Sequence, residues 1–233
     1  SDWSSDVCSS DQEGAVLADG AQDVRRAVLT NMMNRIIHRG PDGAGQYVDG
    51  AVAMGFRRLS IIDLEGGDQP MATPDGRLVI TFNGEIYNYK ELREELKVKG
   101  HAFRTNSDTE VLLHGYSEYG AKVLDRLRGM FAFVIWDREK KELFGARDMF
   151  GIKPFYYARV DGNFVYGSEI KSILEYPGYE RQVNAQALEE YMSFQYSVLP
   201  ETFFRGIWRL PAGHYLLWKN GKLRVRRYFD PML

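Results

Sequence analysis

Four polar clusters in this 233-residue chain carry side chains able to hold or transform a small polar ligand. Asn83-Gly84-Glu85 follows the strand-like run Val79-Ile80-Thr81-Phe82. An Asn-Gly pair after such a run ordinarily signals a hairpin turn, but Tyr87-Asn88-Tyr89-Lys90-Glu91-Leu92 leads into a helix and offers no return strand. A side-chain amide beside a backbone N–H with no bulky neighbour is instead what an oxyanion hole requires, two donors aimed at one developing negative charge. Phe56-Arg57-Arg58-Leu59-Ser60-Ile61-Ile62-Asp63 places two arginines where a strand gives way to an apolar stretch. Solvated surface arginine is the ordinary reading; the alternative is a guanidinium forked onto a ligand carboxylate, a geometry lysine cannot reproduce. Asn106-Ser107-Asp108-Thr109-Glu110 reads as a helix start, with Ser107 as cap, Glu110 completing a capping box and Asp108 complementing the helix dipole. His38-Arg39-Gly40-Pro41-Asp42-Gly43 taken alone reads as a helix stop and a turn.

The elements that must position these clusters follow from periodicity. Val24, Val28, Leu29, Met32, Met33, Ile36 and Ile37 fall at helical spacing over Ala21 to His38, and Gly40-Pro41 ends that helix. Strand patterns cover Gln46 to Val48, Val52 to Arg57 and Leu78 to Phe82, and Asn88 is placed to cap a helix running to about Val98. The second half is dominated by short β-stretches: Met130 to Trp136, Glu142 to Arg147, Phe155 to Ala158, Phe164 to Gly167, His214 to Lys219 and Lys222 to Tyr228. Asn220-Gly221 between the last two is a type I′ hairpin signal. Gly129 to Asp137 is apolar on both faces, as a strand between two layers would be. Arg147-Asp148 through Tyr157 is assigned to fold, with Arg147, Asp148 and Lys153 as candidates to line a domain contact.

Bulk composition excludes several function classes. Hydrophobic residues at 44% and charged residues at 27% match a packed globular chain, so wholesale disorder is not expected. A net charge of −2 gives no electrostatic ground for nucleic acid or an anionic membrane as partner. A single cysteine excludes an internal disulfide, and the lack of an apolar leader or membrane-length apolar run makes the cytoplasm the expected compartment. No His/Cys set has metal-ligand spacing, and neither a phosphate loop nor a Gly-x-Ser-x-Gly elbow is present. A single α+β domain rich in antiparallel sheet is the expected class.

The order and spacing of the clusters resemble the class II glutamine amidotransferases, whose glutaminase domain carries an N-terminal nucleophile. Arg39-Gly40-Pro41-Asp42-Gly43, Arg58-Leu59-Ser60-Ile61-Ile62-Asp63, Phe82 to Asn88, Ser107-Asp108-Thr109-Glu110 and Gly129 to Phe133 are similar to the branch found in asparagine synthetases. Phe204 to His214 resembles the end of that domain. The resemblance implies a four-layer αββα sandwich with glutamine held at one end of paired sheets. It implies that Arg58 grips the substrate α-carboxylate and Asp108 its α-ammonium. Ile61, Ile62 and Glu85 would line the pocket, and Asn83 and Gly84 would hold the tetrahedral oxyanion. The family nucleophile is a cysteine exposed as the first residue and activated by its own α-amino group. Expected partners are glutamine and a C-terminal synthetase domain, and a homodimer is left open. No cofactor is expected in this domain, whereas the synthetase domain would use ATP and Mg²⁺; no Ser-Gly-Gly pyrophosphate loop occurs in the chain.

The family pattern Met-Cys-Gly followed by apolar strand residues is not met. Residues 1–11, a tract of Ser and Asp, read as a non-native leader replacing the first strand, with the amidotransferase domain spanning 12–233 and the synthetase domain absent. Cys8, inside Asp6-Val7-Cys8-Ser9-Ser10-Asp11, lacks the α-amino group that a nucleophile of this type needs. The expectation is therefore an inactive fragment. A non-catalytic domain of the same fold and an amidotransferase serving another acceptor are the competing readings, since acceptor choice resides outside this domain.

Overall fold

The computed structural model describes residues 11–16, 22–58, 68–195 and 199–230. Cys8, Ile61 and Ile62 lie outside the described residues. Twelve strands form two six-stranded sheets among the described residues. The first sheet takes β1 (Asp11–Val16), β2 (Gly43–Asp49), β3 (Val52–Arg58), β8 (Tyr156–Val160), β9 (Asn163–Gly167) and β10 (Ile207–Arg209), in the order β10-β8-β9-β1-β3-β2. The second takes β4 (Met71–Ala72), β5 (Leu78–Ile86), β6 (Gly129–Asp137), β7 (Glu142–Arg147), β11 (His214–Lys219) and β12 (Lys222–Arg227), in the order β12-β11-β7-β6-β5-β4. Every ladder between named strands is antiparallel.

Helices cover the outer face of each sheet, so the chain is the α+β four-layer sandwich that the sequence implies. Helix α1 (Gln22–Asn34) buries Leu29, Met32 and Met33 against β1 and β3, and the short α4 (Ile170–Ile173) joins the same cluster. On the second sheet, α2 (Tyr89–Val98) and α3 (Asp108–Tyr119) bury Leu92, Leu96, Val111 and Leu112 over Phe131, Phe133 and Ile135. The alternate residues of β6, Ala132, Val134 and Trp136, point the other way and meet Val52, Met54, Phe164 and Tyr166 between the sheets. Both faces of β6 are thus buried, as its unbroken apolar run requires.

Several elements depart from the sequence reading, each for a local reason. The first helix stops at Asn34, followed by a 3-10 turn over Ile37–Arg39, four residues short of the extent that periodicity suggests. Strand β5 does not end at Phe82: it runs on through Asn83 and Gly84 to Ile86, because β6 pairs with it along its whole length, Ile86 opposite Gly129. Asn88 precedes α2 without capping it by its side chain, which instead ties Arg126 O and the Arg128 N–H to the helix start. Ser107 does cap α3, accepting from Thr109 N, but Glu110 makes no capping box with it; the Glu110 carboxylate takes the backbone N–H groups of Arg104 and Thr105. Helix α5 (Ala185–Phe194) and the two-residue β4 carry too weak a pattern to be read from sequence. At Asn220 and Gly221 both φ values are positive, 50° and 71°, as a type I′ turn demands.

Arg147 and Asp148 belong to the fold. The buried Arg147 guanidinium donates to the carbonyls of Gly151, Lys153 and Leu210 at 2.6, 2.6 and 2.8 Å. The Asp148 carboxylate accepts the N–H groups of Phe131, Phe150, Ile152 and Lys153. Together they lock the loop between β7 and β8 to the central strand. Arg147→Met should lower unfolding free energy in urea by about 3 kcal/mol, since it strips charge-assisted partners from buried carbonyls. An unchanged denaturation midpoint would show that this loop is held otherwise.

Candidate active site

The two sheets bring the polar clusters to one end of the sandwich. β3 ends there with Arg58, β1 begins there with Asp11, β5 arrives with Asn83 to Ile86, and α3 starts there with Asp108. The His38 to Gly43 stretch is more than a turn: Pro41 bridges Arg58 in parallel and the Asp42 N–H donates to Arg58 O at 3.1 Å, which fixes the end of β3. Arg58 itself is mostly buried and reaches Asp68 at 3.4 Å, whereas its neighbour Arg57 turns away to Met33 O and Asn34.

Asn83 is fully buried at the centre of this end. Its Nδ2 donates to Asp11 Oδ1 at 3.1 Å, so the amide already solvates an anionic oxygen presented from the opposite sheet. The other Asp11 oxygen pairs with Arg39, which also reaches Glu169 at 3.3 Å, and Glu169 is held by Lys171 at 2.7 Å and His38 at 3.2 Å. Burial pushes the Asp11 carboxyl up from the ordinary aspartate range, with the Arg39 charge opposing it. For Glu169 burial also acts upward, but Lys171, Arg39 and His38 outweigh it and the carboxyl ends below its usual value.

Gly84 owes its identity to geometry. Its φ is +150°, and a Cβ there would lie 2.1 Å from Met130 O across the ladder. The edge of β5 turned away from β6 is closed one rung at a time. Leu78 exchanges hydrogen bonds with Thr73, Ile80 stands opposite Met71 of β4, the Phe82 N–H goes to Gln69 Oε1 at 2.6 Å, and the Ile86 N–H goes to Asp108 Oδ2 at 2.9 Å. The period-two alternation of a strand puts the Gly84 N–H on that same edge, between two rungs that side chains occupy. A ligand oxygen at that gap has the Gly84 N–H and the Asn83 amide as neighbouring donors.

Asp108 and Glu85 supply negative charge beside the gap. Burial raises the Asp108 carboxyl to about 6, against the lowering effect of the Ile86 and Thr109 N–H groups, and the charge of Glu85 pushes further upward. Glu85 is exposed. Among the described residues no cation pairs with Asp108, and a partly desolvated carboxylate in that position favours a bound ammonium group. Asn83, Gly84, Glu85, Asp108 and Arg58 therefore come to one end. The sequence reading gave no role to Asp11, Gln69 or Glu169, which no periodic pattern marks; only their places at element ends, where loops carry function, could have drawn notice.

A profile described as "Glutamine amidotransferase domain" matches residues 14–229. The chain belongs to the glutamine amidotransferase domain family. The amidotransferase domain is 44% identical over 211 residues to asparagine synthetase [glutamine-hydrolyzing] 1 of Bacillus subtilis, covering 90% of this chain and 33% of that protein. It is also 44% identical over 230 residues to a putative asparagine synthetase [glutamine-hydrolyzing] of Mycobacterium tuberculosis, covering 92% and 34%. The chain thus spans about a third of the length of these relatives. A glutamine phosphoribosylpyrophosphate amidotransferase from B. subtilis, complexed with ADP and GMP, superposes with a TM-score of 0.68 at 21% identity, over 94% of this chain and 49% of that one. That likeness concerns the fold. Among the described residues no helix is long and apolar enough to cross a membrane, and no His/Cys/Asp/Glu group is arranged to hold a metal ion.

Because ionised Asp108 is disfavoured by its surroundings, the folded carboxyl binds a proton more tightly than the unfolded one, and its charge costs stability at neutral pH. That cost disappears as pH falls from about 6 toward the unfolded value near 3.8. Asp108→Asn should therefore stabilise the domain at pH 7 by about 1–2 kcal/mol after allowance for solvent, with the gain vanishing near pH 4. Thermal unfolding across that range reads it directly, and a variant less stable at pH 7 would contradict the assignment.

Proposed function

We propose that this domain hydrolyses the side-chain amide of glutamine and delivers the ammonia to an attached synthetase domain, which amidates aspartate to asparagine. The observation that carries the reading is the rung of β5 at Gly84, for which no partner stands among the described residues and where the N–H sits between Asn83 and the carboxylate of Asp108. Arg58 binds the substrate α-carboxylate and Asp108 the α-ammonium, while Glu85 lines the pocket. A cysteine thiolate, its proton taken by the chain's own α-amino group, attacks the carboxamide carbon. Asn83 and Gly84 bind the oxygen that becomes negative, the same proton passes to the departing nitrogen, and water then clears the thioester. ATP and Mg²⁺ serve the synthetase domain. The setting is cytoplasmic, in keeping with the relatives' metabolic role.

A second reading has its own support. The Asp11 carboxylate lies on Asn83 Nδ2, where the developing oxyanion of a substrate would lie, and this favours a domain that keeps the fold without turnover. A variant in which Met-Cys-Gly and apolar strand residues replace residues 1–11 separates the two. Glutamate release from glutamine is expected from it, and its absence in a well-folded protein would leave the non-catalytic reading.

In that variant Asn83→Asp should lower kcat by about 100- to 1,000-fold at an unchanged melting temperature, because a donor is exchanged for a negative charge facing the oxyanion. Wild-type kcat would return Asn83 to a purely structural role. Glutamine affinity, read by isothermal titration, should fall about tenfold per pH unit below about 6, where Asp108 takes up a proton. A flat profile between pH 7 and 5 would mean that the ammonium is held elsewhere.

A further inference from the structure

Gln69 lies just before β4, and its side chain bonds Phe82, the residue that precedes the oxyanion donor Asn83. Strand β4 is only two residues long and pairs with Val79 and Ile80, so the ladder on that edge of β5 runs out before Phe82. The Gln69 carboxamide continues it: Oε1 accepts the Phe82 N–H at 2.6 Å and Nε2 donates to Phe82 O at 3.1 Å. One primary amide thereby reproduces both hydrogen bonds of a β-bridge residue, on the residue preceding Asn83. The same Nε2 also reaches Thr109 Oγ1 at 3.4 Å, in the first turn of α3 next to Asp108. The Gln69 backbone is itself wedged against the other sheet, where a Cβ on Gly45 of β2 would fall 1.8 Å from Gln69 O. A single residue thus touches β2, β5 and α3.

We propose that Gln69 is a positioning residue for glutamine hydrolysis, setting the Asn83 and Gly84 donors against Asp108 by standing in for a missing strand at Phe82 and bracing it to Thr109. The inference rests on the glutaminase reading of the site. If Phe82 were bound only by β6, the strand edge would be free to shift or to recruit water, and the donors would move with it. Misplacement of catalytic donors by fractions of an ångström is enough to cost rate without unfolding the protein. The two contacts separate by function: the Phe82 pair fixes the donors and therefore the chemical step, while the Thr109 contact fixes the carboxylate and therefore substrate binding.

Gln69→Met keeps the length of the side chain and removes all three hydrogen bonds; Thr109→Val removes the brace alone. In the 233-residue chain, Gln69→Met should speed amide hydrogen exchange at Phe82 by about tenfold, whereas Thr109→Val should leave it unchanged. In the chain whose first eleven residues are replaced by the cysteine start, Gln69→Met should lower kcat by about 10- to 100-fold at a nearly unchanged melting temperature. Thr109→Val should raise KM for glutamine several-fold and spare kcat. Wild-type kcat and KM in Gln69→Met with faster Phe82 exchange would make Gln69 merely structural, and unchanged exchange would show that it does not hold the rung; either result overturns the proposal. Should Gln69→Met fail to fold, wild-type KM in Thr109→Val is enough to remove the brace. A well-folded parent with the cysteine start that releases no glutamate overturns the glutaminase reading itself, a failure distinct from the others because it appears before any change at Gln69.

Discussion

The polar end of this molecule depends on a backbone constraint: β5 is paired along its whole length with β6 on one edge and is short of a strand on the other. A strand edge presents an N–H and a C=O at every second residue, and each must find a partner or a ligand. Here the partners are unlike one another. Backbone and hydroxyl groups of Thr73 serve Leu78, the side chain of Gln69 serves Phe82, and the carboxylate of Asp108 serves Ile86. These groups come from either side of β4 and from the start of α3, and among the described residues the rung at Gly84 is left for something outside the strand. The φ of +150° at that rung, with a Cβ that would meet Met130 O of β6, excludes any residue but glycine there.

Electrostatics adds a second layer. Three of the carboxylates at this end of the sandwich, Asp11, Asp108 and Glu169, are treated differently. Glu169 is surrounded by Arg39, Lys171 and His38 and is held charged. Asp11 has Arg39 and the amide of Asn83. Asp108 has backbone N–H groups and a like charge nearby, with no cation beside it among the described residues, and so carries the cost of burial. An ammonium group brought to Asp108 would offset that cost of burial.

Much of the fold was legible because its strands alternate or are apolar throughout: the extent of His214 to Lys219 and the turn at Asn220-Gly221 follow from pattern and turn chemistry alone. Asn83, Gly84 and Asp108 were legible by their motifs, and the structure sets Asn83 and Gly84 inside β5 and Asp108 hydrogen-bonded to its last residue, Ile86. The reading of Asn83-Gly84 as the end of a strand failed because local turn propensity was overridden by nine rungs of pairing with β6. The box expected of Ser107 and Glu110 failed because the carboxylate found two better-placed N–H groups at Arg104 and Thr105, outside the helix. Gln69, Asp11 and Glu169 were illegible for a different reason. Their partners are 13, 72 and 130 residues distant in the chain (Phe82, Asn83 and Arg39), and no periodicity encodes such contacts.

The double use of Asp108 ties these layers together. One of its oxygens is committed to the Ile86 N–H, which closes the rung beyond Gly84, so the carboxylate sits at a position fixed by the strand. A cation drawn to that carboxylate is therefore placed relative to the Asn83 and Gly84 donors by the strand itself, with no mobile loop between them. Removing the charge without removing the acceptor, as asparagine would, keeps the strand edge closed while abolishing the attraction for an ammonium group. Stability and recognition at this residue consequently pull in opposite directions: burial makes the carboxylate costly in the empty domain, and the same burial makes an incoming positive charge worth more.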